Sequence, residues 1–407
     1  MKMKTIIIIT TISIILSAMI IVLLYVLNLN MINTKIPSFV NQPIANLDSY
    51  AKEKKISIIK KEIYNDIIQK GYIIDQVEID KHSISVTISL GKDMIKLYQD
   101  NNVNELGLVP IMMYHGIVDV ANSTLQYIGG NVDKDGYNRS SESFRNDLEF
   151  YYLNNYRMIR LTDYIDSKID VAIGKSPIIL TFDDGRQNNI NVLGLDNEGN
   201  IIIDPNSAVG ILEAYKKKYP DYNVTATFFL SSGLFQQPKY NTQIIKWLIA
   251  NGYDIGNHSY QHKALDKITA SETSSEIARM YGLLSQVTDY SYVNIVALPF
   301  GTPTSKSHSN YPYIINSSYG ASSYQTKSTL RVGWDSNVSP FCTNFDHEYL
   351  KRIRAYDNNG VDFDITMNFN LLKDRRYISD GDATKIVVKK GYLSTIKNVN
   401  SLEVVTY

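Results

Sequence analysis

Apolar residues run without a charge from Ile6 to Leu27, 22 positions relieved only by the hydroxyls of Thr10, Thr11, Ser13 and Ser17 and the ring of Tyr25. At about 1.5 Å per residue, a helix of that length just spans a bilayer core of roughly 30 Å. A cleaved signal peptide, the rival reading, has a shorter apolar core and a small-residue cleavage site, and no such site follows Leu27. Lys2 and Lys4 precede the stretch and no charge follows before Lys35, a bias that puts the N-terminus in the cytoplasm and the rest outside. The expected organisation begins with a cytoplasmic tip and single-pass transmembrane anchor over residues 1–30 and a tether over 31–43. A small α+β unit follows over 44–105: Asp48 to Gln69 has apolar residues at helical spacing, Ile73, Ile74, Val77 and Ile79 have strand character, and ISVTISL at 84–90 alternates with period two.

From Val109 onward the pattern changes to short apolar runs alternating with longer amphipathic ones, as in a parallel sheet with helical crossovers. Strands are predicted at 109–114, 157–161, 177–182, 224–230, 253–255 and 293–298, and helices at 142–154, 207–218, 241–250 and 271–287. This pattern places one large α/β domain over 106–371 and a β-rich C-terminal tail, packed on it, over 372–407. Between the third and fourth strands, NVLGLDNEGNIIID reads as an inserted β-hairpin.

Composition narrows the partners. The 41 basic and 41 acidic residues among 407 cancel, which removes the basic footprint of a nucleic-acid binder, and 44% hydrophobic residues exclude wholesale disorder. The single cysteine, Cys342, excludes an internal disulfide and a cysteine-based zinc cluster. In an exported domain, stability must then come from a large packed core.

Function in such architectures gathers at the C-terminal ends of the strands. Three ends carry chemistry: Asp183, Asp184 and Gly185; His258 and His262; Pro299, Phe300 and Gly301. Two histidines four apart on one helical turn face the same way and suit one divalent ion, although a capping or packing pair has the same spacing. Adjacent carboxylates after a buried apolar strand are costly to desolvate and call for a cation, although Asp-Gly also simply closes turns. His115 in MYHGI follows a strand of the same sheet, and an imidazole there is either a proton donor of suitable pKa or a structural group.

TFDDG at 181–185, ATFF at 226–229, HSYQH at 258–262 and LPFG at 298–301, in that order, resemble the polysaccharide deacetylases of carbohydrate esterase family 4, over about Val109 to Phe369. The resemblance implies a distorted (β/α) barrel and a divalent metal, usually zinc with cobalt as an alternative, held by Asp184, His258 and His262. It makes Asp183 the general base and the backbone N–H of Phe300 an oxyanion donor. The family's late Leu-x-His motif is absent; relatives resembling poly-N-acetylglucosamine deacetylases carry Tyr-His at the place of Tyr114-His115, which implies His115 as the acid. Many members have an arginine at the place of Ala297, holding the base, so Arg331 or Arg186 is expected to substitute. RVGWD at 331–335 is the counterpart of the fourth motif, and Tyr114, Pro299, Trp334 and Asp335 are the expected substrate contacts. The run from Tyr50 to Gly91, with KGYIIDQ and SVTISLG, resembles a PASTA module of bacterial cell-wall proteins, which implies a peptidoglycan-rich setting. The expected function is removal of acetyl groups from N-acetylated amino sugars of peptidoglycan. The alternatives are an exopolysaccharide such as poly-N-acetylglucosamine, an O-acetyl ester, or glycan binding without catalysis.

Overall fold

The computed structural model describes residues 14–25, 35–122, 131–397 and 402–407, in two compact units, residues 1–97 and 98–407. Of the stretch expected to span a membrane, residues 14–25 form a helix with exposed apolar side chains, and the remainder lies outside the described residues. Among the described residues no helix is long and apolar enough to cross a membrane.

In the first unit, helix α1 (Ile44–Lys54) packs Leu47 with Ile36, Phe39, Ile73, Ile84, Val86 and Ile88. The sheet is β1 (Ser57–Ile63), β2 (Ile73–Asp80) and β3 (Ser83–Ser89), with β3 central, parallel to β1 and antiparallel to β2. The alternation of β3 matches its burial, Ile84, Val86 and Ile88 inward. The helix predicted to reach Gln69 stops instead at Lys54. Lys55 takes a left-handed conformation (φ 56°), and the following SIIKKEI pairs with β3. Its isoleucines are β-branched and favour the extended chain of an edge strand over a marginal helical period.

The second unit is built on one sheet of parallel strands: β4 (Ile111–Tyr114), β5 (Tyr156–Met158), β6 (Ser176–Phe182), β7 (Thr227–Leu230), β8 (Asp254–Asn257), β9 (Ile295–Ala297), β10 (Ser328–Leu330), β11 (Tyr349–Leu350) and β12 (Ile353–Arg354). Their order is β11-β10-β9-β8-β7-β6-β4-β12, with β5 also paired to β6. Strands β11 and β12 stand at opposite ends of that order, yet only Lys351 and Arg352 separate them in the chain. The sheet therefore curls until its two edges meet at that dipeptide, giving a distorted barrel.

Alternation along each strand sorts side chains to two faces. Met112, Tyr114, Ile178, Leu180, Phe182 and Phe228 face outward under helices α2 (Ser141–Leu153), α3 (Ala208–Lys218), α4 (Asn241–Ala250) and α5 (Ala270–Val287). Val109, Ile111, Ile179, Phe229, Ile295 and Leu330 form the second core. Helix α5 starts on a capping box: the Thr269 hydroxyl accepts from the Glu272 N–H, and the Glu272 carboxylate accepts from the Thr269 N–H.

The inserted hairpin pairs Val192–Leu195 antiparallel with Ile201–Ile203. In the tail, Lys385–Val388 pairs in parallel with Glu403–Thr406, and Tyr377, Ile386 and Val388 join the second core. Buried Glu105 fastens this tail: its carboxylate accepts from the Tyr377 hydroxyl at 2.9 Å, the Asp380 N–H at 3.2 Å and the Val387 N–H at 2.7 Å. Burial and the neighbouring Asp380 push the Glu105 carboxyl up to about 8.

Candidate functional site

Residues 179, 181 and 183 point to the inner side of the barrel by the period of β6, so the last of them, Asp183, emerges at the C-terminal mouth. Phe182 goes to the outer core. Asp184 and Gly185 then turn the chain with φ of 72° and 59°. The turn needs Gly185, because a Cβ there would lie 2.1 Å from the Leu234 carbonyl oxygen. His262 (φ 55°) and Phe300 (φ 57°) are also left-handed, so three residues expected to do chemistry sit in backbone states that only a surrounding framework sustains.

The histidine pair reaches its geometry differently from the helical turn expected. Residues 258–262 form a loop, with Ser259 and His262 left-handed, pinned by Glu276 of α5. The Glu276 carboxylate accepts from the Gln261 N–H at 2.6 Å and its carbonyl from the Tyr260 N–H at 3.1 Å. The result still brings both rings to one point. His258 Nε2 and His262 Nε2 each lie 3.2 Å from Asp184 Oδ1, and one ligand atom from each of the three residues falls within 4.8 Å of the others.

Tautomers decide what this point holds. His258 Nδ1 lies 2.8 Å from the Ala297 carbonyl oxygen, so Nδ1 carries the proton and donates it there. The Nε2 lone pair then faces the carboxylate oxygen. Asp184 Oδ1 is buried and has no hydrogen-bond donor among the described residues. Two facing lone pairs repel unless a cation lies between them, so the donor set fits a divalent metal. The other carboxylate oxygen of Asp184 accepts from Arg186 Nη2 at 2.6 Å and Nε at 3.1 Å.

Neither arginine expected to hold Asp183 does so. Arg186 belongs to Asp184, and Arg331 Nε donates to the Val332 carbonyl. The partner is Arg352, at the seam between β11 and β12. Its Nη1 donates to Asp183 Oδ1 and its Nη2 to Oδ2, both at 2.7 Å, and both side chains are fully buried. Arg352 is itself fixed by the Arg331 carbonyl and the Thr181 hydroxyl, each at 3.2 Å. Burial pushes the Asp183 carboxyl up, but the Arg352 guanidinium outweighs it and keeps it below the ordinary value.

These groups open on one cavity of about 570 Å³ lined also by His115, Tyr137, Gln236, Phe300, Val332 and Arg354. His115 Nδ1 is buried without a hydrogen-bond partner among the described residues, and its carbonyl accepts from Asn189 Nδ2 at 2.6 Å. Burial pushes the imidazole down while Asp183 and Asp184 pull it up, leaving it below its ordinary value. The exposed Phe300 ring lies 4.7 Å from that of His262.

Four expected substrate contacts are not on the cavity wall. Tyr114 has the opposite strand phase to Met113 and His115; its hydroxyl donates to Asp147 Oδ2 at 3.0 Å inside the outer core. Pro299 is buried. Trp334 is 47% exposed, and Asp335 pairs with Lys351 at 2.9 Å. Arg352, Arg354 and Tyr137 escaped the sequence reading. The available signal was RIR at 352–354, two charges flanking an apolar residue with the period of a strand.

Residues 170–312 match the family model described as polysaccharide deacetylase. No curated protein matches the chain. Among solved structures, the Streptococcus pyogenes deacetylase PplD in complex with acetate is similar at 16% identity and a TM-score of 0.44, covering 67% of this chain and 99% of that one. The Bacillus subtilis peptidoglycan deacetylase PdaC is similar at 24% identity and a TM-score of 0.22, covering 33% of this chain and 52% of that one.

Proposed function

With a polysaccharide deacetylase segment at residues 170–312 as premise, we propose that this protein is a metal-dependent N-deacetylase acting on N-acetylated amino sugars of peptidoglycan, held at the outer face of a membrane by its N-terminal apolar stretch. The observation that carries the reading is the division of labour between adjacent carboxylates. Asp184 converges with His258 and His262 on one point, while Asp183 is clamped by Arg352 and kept out of that set.

A divalent ion on Asp184, His258 and His262 would supply Lewis acidity toward water and toward the acetamide oxygen. Asp183, ionised and fixed in orientation, takes the proton of the attacking water. The Phe300 N–H, aimed by its left-handed backbone, stabilises the oxygen on which charge develops. His115, across the cavity, hands a proton to the departing amine. The amide C–N bond breaks as the amine gains that proton, and acetate and a free amino sugar result.

Peptidoglycan is favoured by the PASTA-like character of residues 50–91. Poly-N-acetylglucosamine is the second reading, because His115 lines the cavity as the resemblance to its deacetylases implies. Purified protein supplied with zinc or cobalt should release acetate from peptidoglycan, with poly-N-acetylglucosamine tested alongside. Asp183→Asn should cut release by at least about a thousandfold while bound metal stays stoichiometric. Undiminished release from metal-stripped protein would overturn the reading.

A further inference from the structure

Strand β12 places Arg352 and Arg354 on one side and Ile353 on the other, in the outer core. The first arginine is matched by Asp183. The second is not matched: the side chain of Arg354 makes no hydrogen bond or ion pair among the described residues, although it is half-buried and lines the cavity with the three metal-type ligands. The cavity's carboxylates, Asp183 and Asp184, already have Arg352 and Arg186 as partners.

Arg354 is nevertheless held in place. Its backbone pairs with Met113 of β4, whose side chain lines the same wall. Its stem runs beside Gly136 (φ 78°), where an added Cβ would come within 3.1 Å of Arg354 Cδ. Its guanidinium carbon lies 5.8 Å from the centre of the Tyr137 ring, and that ring stands 5.3 Å from His115. A partly desolvated, positioned guanidinium without an anion is unfavourable by itself and is retained where a ligand brings the anion.

Resting on the deacetylase reading, we propose that Arg354 is a specificity residue that recognises a carboxylate carried by the N-acetylated sugar, such as an ether-linked lactyl group, beside the acetamide being cleaved. A planar two-donor fork fits a carboxylate edge-on. One guanidinium rather than a cluster matches a single negative charge.

The test compares one N-acetylated oligosaccharide with its carboxylates free and methyl-esterified, on full-length zinc-loaded protein. Wild type should favour the free acid in kcat/KM, mainly through KM. Arg354→Met should reduce that preference about tenfold or more, and Arg354→Lys should keep part of it. Calorimetric binding of both glycans to Asp183→Asn protein, with and without Arg354→Met, gives the same comparison without turnover and shows that the variant still folds and binds. Equal handling of acid and ester by wild type, or an undiminished preference in Arg354→Met, would overturn the proposal. Absence of acetate from every glycan would instead overturn the deacetylase reading, and the binding preference would still decide the role of Arg354.

Discussion

Asp183 depends on a partner 169 positions away, and that distance is why sequence reasoning missed it. The motifs carrying Asp183, Asp184, His258 and His262 are local strings whose chemistry is visible in a few residues. Arg352 belongs to no such string, and its role exists only once the sheet has curled. Position 297, where an arginine is common among the relatives the motifs resemble, contributes through its backbone, by orienting His258. Arg352→Lys keeps the charge but loses the fork, so kcat should fall by about tenfold to a hundredfold with bound zinc unchanged, read by steady-state kinetics and metal analysis. Arg352→Met leaves a buried carboxylate unpaired and should cost about 3–5 kcal/mol, measured by denaturant unfolding. Tyr114, expected at the substrate by resemblance, lies in the outer core instead, since one step along β4 moves a side chain from the cavity to the core.

Elements were more legible than contacts. The helices predicted at 241–250 and 271–287 form at Asn241–Ala250 and Ala270–Val287, because their apolar stripes keep the helical period and, for the second, a capping box fixes the start. The SIIKKEI strand and the 258–262 loop were misread as helical, because a four-residue spacing also fits a left-handed turn and three isoleucines fit either period. Two substitutions separate stability from support of the site. Thr269→Ala removes a cap remote from the cavity and should cost about 1 kcal/mol in unfolding while acetate release persists. Gly185→Ala introduces a Cβ against the Leu234 carbonyl at a φ of 59°, and should cost about 2 kcal/mol or more while also disordering the adjacent ligand Asp184, read as weakened zinc binding.

For the whole molecule, the tail and the proposed metal site make distinct contributions. Glu105 holds its proton more tightly in the folded chain, about 8 against an ordinary 4.5. The folded state thus binds more protons than the unfolded one between those values, and stability should fall as pH rises through that window. Thermal unfolding of Glu105→Gln should show a flatter profile between pH 5 and 8 than wild type. Chelation should lower the melting temperature, and zinc at a hundred times its Kd should restore about 2.7 kcal/mol, visible in the same melts.

On the proposed mechanism, the seam dipeptide would couple activity to closure of the barrel. Asp183 is gripped by a residue that takes its place only where the final two strands join opposite edges of the sheet, so on the proposed mechanism a chain cut before residue 352 would lack the partner of its base. The segment that matches the deacetylase family model ends at residue 312, forty residues short of Arg352.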